Sequence, residues 1–206
     1  MKVRNIEKSC LIVALIAALG FQAVLPVQAG NFVNSPGNLL LEPEVWVDDN
    51  YTSGGFNDGH IWGQTAFATI QSGLDAVTLG GTVYVAPGLY PEEVKISSQV
   101  HLIGDPGDAA PGPGPDAPTI GGCPVGITYC SGIEFLAPAN GTTIEGFIVR
   151  DHNRNIGVHE IGGFGIFSKN QFNVPVTDIT VNDNLFINTR WEAIMFFSDG
   201  SLRSLY

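Results

Sequence analysis

The densest set of reactive side chains is Arg150-Asp151-His152-Asn153-Arg154, with His159-Glu160 following in the same loop. Guanidinium, imidazole and carboxylate groups brought together are the usual material of proton transfer and charge stabilisation, so Arg150, Asp151, His152 and Arg154 are the candidate catalytic residues. The same residue types also make ordinary turns. In that reading Arg150 and Asp151 sit between strands and His152 is a solvated loop side chain. Aromatic residues cluster nearby: Phe164, Phe172, Trp191, Phe196 and Phe197. Phe196 and Phe197 are adjacent, so in a strand one of them faces outward. Trp191, Phe197 and Glu160 are the candidate binding residues, with Trp191 alternatively covering the edge of a core. Upstream, Asp48-Asp49 offers two hard oxygen ligands for calcium, against a plain Asx turn; two carboxylates fall short of the six to eight oxygens the ion takes.

These residues must be held by short strands. Residues 69–104 begin with one amphipathic segment in which Ile70, Leu74 and Val77 fall at i, i+4, i+7, with Thr69 as N-cap and Gly80-Gly81 as stop, a helix expected over about 69–78. Strand-like runs follow at 82–86, 94–96 and 100–103, separated by Pro87-Gly88 and Ser97-Ser98. The connections are too short for crossover helices, which excludes a doubly wound sheet. A Pro/Gly-rich insertion at 104–131 cannot be helix or central strand and is expected to project as a loop. Self-similarity then appears. Residues 144–151 align with 181–188, and Gly165-Ile166-Phe167 aligns with Ala193-Ile194-Met195. Such repetition marks a solenoid, whose coils stack about 4.8 Å apart. Ile144 on Val181, Val149 on Phe186 and Ile166 on Ile194 are the expected core ladders, and Asp151 on Asn188 a polar turn ladder. The repeats still run at 193–200, so the reading expects a solenoid continuing past residue 206.

Residues 1–29 have the form of a secretory signal: Lys2, Arg4 and Lys8, an apolar run at 11–19, then Val27-Gln28-Ala29. Gly20, Gln22 and Pro26 break the run before it reaches the length of a membrane span. Cleavage would remove three of nine basic and one of twenty acidic residues, leaving a net charge near −13. That excludes nucleic acid as a partner and repels polyanions unless a divalent cation bridges them. Residues 30–63 form a polar lead with an entry strand at 45–47 and a Gly-rich surface loop at 51–63. Cys123 and Cys130 are the only cysteines of the exported chain, and a disulfide is the expected pairing, with metal ligation as the alternative.

The cap-like segment and first coil at 69–104, with Val45-Trp46-Val47-Asp48-Asp49 before it, resemble the opening of the right-handed parallel β-helix (pectin lyase-like) superfamily. Gly88-Leu89-Tyr90-Pro91-Glu92 is similar to the G-x-Y-x-E opening of pectin methylesterases. The resemblance implies an all-β, right-handed parallel β-helix over 64–206, plugged at its N-terminal end by the helix. It also implies what the polar cluster would do. Lyases of the superfamily use an arginine base and calcium held by acidic side chains, a role open to Arg150 or Arg154, with Asp151, Glu160 and Asp183 toward the metal. Calcium is the one cofactor this allows for. The methylesterase motifs that carry the catalytic aspartates are absent from the chain. Two functions remain: a secreted or cell-surface scaffold that binds polysaccharide, or a carbohydrate-active enzyme of the lyase or esterase type. Convergent carboxylates on one face would mark the enzyme; a smooth ladder of Asn, Thr and Gly would mark the scaffold.

Overall fold

In the computed structural model, the chain divides into Met1–Asn38 and Leu39–Tyr206. The structure describes residues 41–104, 114, 116–122, 130–136, 139–152, 163–168, 176–189, 192–198 and 201–204, all in the second unit. The signal at 1–29 and Cys123 lie outside the described residues.

Alternating Val45, Trp46 and Val47 make the entry strand β1 (Glu42–Val47), which pairs in parallel with β2 (Ala66–Phe67). Helix α1 (Ile70–Ala76) follows, its N-cap Thr69 Oγ1 accepting from the Ser72 amide at 3.2 Å. Among the described residues four coils come next, each with three short strands. They are β3 (Val77–Val85), β4 (Leu89–Tyr90) and β5 (Val94–Ile96); then β6 (His101–Gly104), β7 (Thr119–Gly121) and β8 (Ile133–Phe135). The third coil is β9 (Thr143–Glu145), β10 (Ile148–Arg150) and β11 (Ile166–Ser168), and the fourth β12 (Thr180–Asn182), β13 (Leu185–Ile187) and β14 (Ile194–Ser198). First strands stack on first strands, second on second and third on third, giving three parallel sheets. A last strand, β15 (Ser201–Ser204), turns back antiparallel on β14. The result is an all-β parallel solenoid.

Its core is built from the inward residues of each sheet. Leu102 and Ile144 on the first, Tyr90, Ile120 and Val149 on the second, and Val94, Ile133 and Ile166 on the third are all buried. The repeat alignment gives the register. Ile144 pairs with Val181, Val149 with Phe186 and Ile166 with Ile194. In the fourth coil Val181, Phe186 and Ile194 are only partly buried, and no described strand pairs with the far edge of β12 or β13.

At the other end the strand edges are occupied. The Gln71 side chain, from α1, accepts the Lys95 amide at 2.8 Å and donates to the Lys95 carbonyl at 3.3 Å, standing where a neighbouring strand would pair with β5. On β4 the Leu89 amide donates to Asp49 Oδ2 at 3.3 Å. On the first sheet β1 and β2 extend beyond β3. Gln71→Ala should cost about 1–2 kcal/mol, the net worth of two hydrogen bonds. Urea unfolding measures it, and a midpoint equal to wild type would show that the edge needs no such partner.

The helix buries Ile70, Gly73 and Ala76, with Leu74 only partly covered. A Cβ on Gly73 would meet Val47 Cγ2 at 2.8 Å and Val83 Cγ1 at 3.2 Å, so the helix rests directly on the inner side chains of β1 and β3.

Candidate functional site

Arg150 is the last residue of β10 and points outward; Asp151 and His152 form the corner after it. Arg150 Nε donates to Asp151 Oδ2 at 2.6 Å, both side chains being roughly half exposed. The other Asp151 oxygen accepts from Asn188 Nδ2 at 3.0 Å, the polar ladder expected from the repeat. The Asn188 amide first, and then Arg150, hold the Asp151 carboxyl below its ordinary range.

Asp151 has φ +61°, Asn188 +53° and Gly122 +76°. Each directly follows a second-sheet strand, so the three are one corner position in successive coils. Asp183 (φ +50°) and Gly146 (φ +83°) are likewise equivalent, following β12 and β9. Left-handed backbone favours Gly and tolerates Asn and Asp better than other residues. The backbone alone therefore accounts for the residue type at Asp151 and Asp183. Asp183 Oδ2 accepts from the adjacent Asn182 at 3.0 Å, and Asp151 from Asn188 and Arg150, so each carboxylate is engaged locally. Among the described residues no group of three or more His, Cys, Asp or Glu is placed to hold a metal ion. Arg154, Glu160 and Trp191 lie outside the described residues, as does the side chain of Phe197.

His152 is not a solvated loop side chain: its relative exposure is 0%. Nε2 lies 3.3 Å from the Ile120 carbonyl oxygen, which can only accept, so Nε2 carries the hydrogen. Nδ1 faces Cys130 Sγ at 3.4 Å. Loss of hydration on burial lowers the proton affinity of the ring, and the Ile120 carbonyl and the Asp151 and Glu93 carboxylates offset this in part. The left-handed corner at Asp151 turns the chain so that the next side chain enters the core. No pattern in the polar run 150–154 signals that inversion.

The Gly88–Glu92 stretch has a structural use at each of its distinctive positions. Gly88 leaves room for Asp49, whose carboxylate a Cβ would meet at 3.0 Å. Tyr90 is buried and donates to the Ala86 carbonyl at 2.9 Å. Glu92 accepts the Ile70 and Gln71 amides at 2.9 and 3.0 Å, tying the start of α1 to the first coil. Burial raises the Glu92 carboxyl above its usual range, opposed by those two amides.

The outer side of the first sheet carries two rows in register. One runs Trp46, Tyr84, Ile103, Glu145, Asn182; the other Glu44, Thr82, His101, Thr143, Thr180. His60 stacks on Trp46 at 4.0 Å between centroids and Trp46 on Tyr84 at 5.5 Å. Trp46 thus stacks with both neighbouring rings. Sequence reasoning missed this row, although Trp46 between Val45 and Val47 and Tyr84 between Val83 and Val85 are marked as outward by alternation.

Fold and surface together define an all-β parallel solenoid with a polar, laddered exterior. No family model, curated protein or solved structure matches the chain.

Proposed function

We propose that this chain is a secreted, right-handed parallel β-helix of the pectin lyase-like kind that serves as a non-catalytic scaffold for binding extracellular carbohydrate. The observation that carries the reading is the uninterrupted Thr82–His101–Thr143–Thr180 row on the first sheet, a regular array of hydrogen-bonding groups at the coil spacing. Corner ladders continue the same pattern: Asn188 on Asp151, and Asn140 Oδ1 accepting the Thr177 amide at 2.8 Å. Repeated hydroxyl and amide groups suit a polymer of repeated hydroxyls. In the same reading residues 1–29 are a cleaved signal, Cys123 pairs with Cys130, and α1 closes the N-terminal end of the core.

The test is retention of the exported chain on immobilised polysaccharides, together with assays for uronide double bonds and released methanol. Retention with no product, with or without millimolar calcium, is expected. Turnover would make the chain an enzyme of the lyase or esterase type instead.

A further inference from the structure

The largest exposed aromatic side chain described lies outside the laddered rows. In the loop between β1 and β2, Phe56 is 83% exposed, Ile61 60% and Trp62 40%. Single exposed apolar residues are ordinary, but three within seven residues of one loop are more than scatter. Looseness of the loop does not account for them. Asn57 is buried and replaces a strand partner: its Oδ1 accepts the Thr52 amide at 3.0 Å and its Nδ2 donates to the Thr52 carbonyl at 2.9 Å. Tyr51 donates its hydroxyl to Asp58 Oδ2 at 3.1 Å. The Gly59 amide returns to the Phe56 carbonyl at 3.0 Å, and the Ile61 amide to Thr65 Oγ1 at 2.9 Å. His60 is anchored by its stack on Trp46. Asn57 and Asp58 hold left-handed backbone, at φ +47° and +53°, to complete the turn. A network of this kind holds the backbone that carries Phe56 and Trp62. Unlike Trp46, neither ring stacks on another described ring.

Charge narrows the ligand. The sequence has no Lys or Arg between Lys8 and Lys95, while Glu42, Glu44, Asp48, Asp49 and Asp58 all lie on β1 or this loop. A uronate chain, a sulfated glycan or an anionic lipid surface would be repelled there. An uncharged sugar would not. The apolar face of its ring can lie on an aromatic face, and its hydroxyls can donate to carboxylates, which only accept. A loop backbone already held by hydrogen bonds also spares part of the ordering cost of binding.

We infer that the 51–63 loop, through Phe56 and Trp62, is the contact for a neutral glycan chain. This rests on the carbohydrate-binding reading above and adds the place and the substrate class. The experiment is calorimetric titration of the exported full chain with cello-, xylo-, manno- and chitohexaose, with polygalacturonate and with phosphatidylcholine vesicles. At least one neutral hexasaccharide should bind and polygalacturonate should not. Phe56→Ala and Trp62→Ala should each weaken that binding about tenfold or more, the size of a single hot-spot contact. Phe56→Ala should keep the wild-type melting temperature, since Phe56 is 83% exposed, and Trp62→Ala, at a residue 40% exposed, should keep a cooperative melt. Neutral-glycan binding that both variants retain would overturn the site and leave the carbohydrate reading standing. If wild type binds only polygalacturonate, the assigned substrate class is wrong. Binding to no glycan would overturn both, and vesicle binding lost in the two variants would make the loop a membrane contact instead.

Discussion

Gly104→Ala should cost about 3 kcal/mol or more and leave the solenoid largely unfolded on warming. Gly104 ends β6, and in the next coil Gly146 lies against it. A Cβ there would collide with the Gly146 carbonyl oxygen, and would lie 2.8 Å from the Gly146 carbonyl carbon and 2.9 Å from Pro118 Cγ. Overpacking a core usually costs about 1–3 kcal/mol because side chains change rotamer to relieve it. Here the obstacle is backbone of the neighbouring coil, which can retreat only by opening the stack. Coil spacing is set by strand hydrogen bonds, so relief on one sheet strains the other two. Gly54→Ala is the control, since no atom lies within 4 Å of its Cβ position. Thermal melts of the two variants decide the matter. A Gly104→Ala midpoint as close to wild type as that of Gly54→Ala would mean the coils are not held at this distance.

The same corner shows what the sequence could and could not reveal. Apolar residues repeated 37 positions apart were enough to place Ile144 over Val181 and Val149 over Phe186, because stacking depends only on equal spacing along equivalent turns. Residues 144–151, however, span parts of two strands. The chain bends at Gly146 (φ +83°), and Phe147 turns inward between β9 and β10. Period-2 alternation is a property of one straight strand and fails across a corner. On the helix, Ile70 and Val77 are buried in the core and Leu74 packs against it, as the spacing leads one to expect. The spacing gives no hint of Gly73, where the absence of a side chain lets α1 meet Val47 and Val83. Hydrophobic spacing marks large residues and is blind to a contact made by a missing one. For the candidate site, Arg150, Asp151 and His152 were found together in the sequence and are together in space. Their roles depend on corner geometry: one pairs outward, one fills a left-handed position, and one is swallowed by the core.

Stability should fall as pH drops below about 6.5, with His152 responsible for the slope. In the unfolded chain the ring takes up a proton near its ordinary value of 6.5; in the folded chain burial pushes that value down. Above 6.5 both states hold a neutral ring, and the contribution to stability is complete. Between 6.5 and the lower folded value the unfolded chain binds more protons, so stability falls with pH, by at most about 1.4 kcal/mol per pH unit for one proton. Glu92 acts in the opposite direction. Its folded value is raised above 4.5, so its contribution is complete below 4.5 and is lost as pH rises through the folded value. Where the two windows overlap they offset each other, and the wild-type curve alone cannot separate them. His152→Gln can. Gln keeps a donor for the Ile120 carbonyl and does not titrate, so the variant is less stable at neutral pH but loses the histidine slope. Urea unfolding at half-unit steps from pH 7.5 to 5 should give a gap between wild type and variant that narrows as the pH falls. A constant gap would show that the ring titrates alike in both states, as one open to water does, and a gap that widens as the pH falls would show that it is protonated inside the fold; either result would overturn the neutral buried His152.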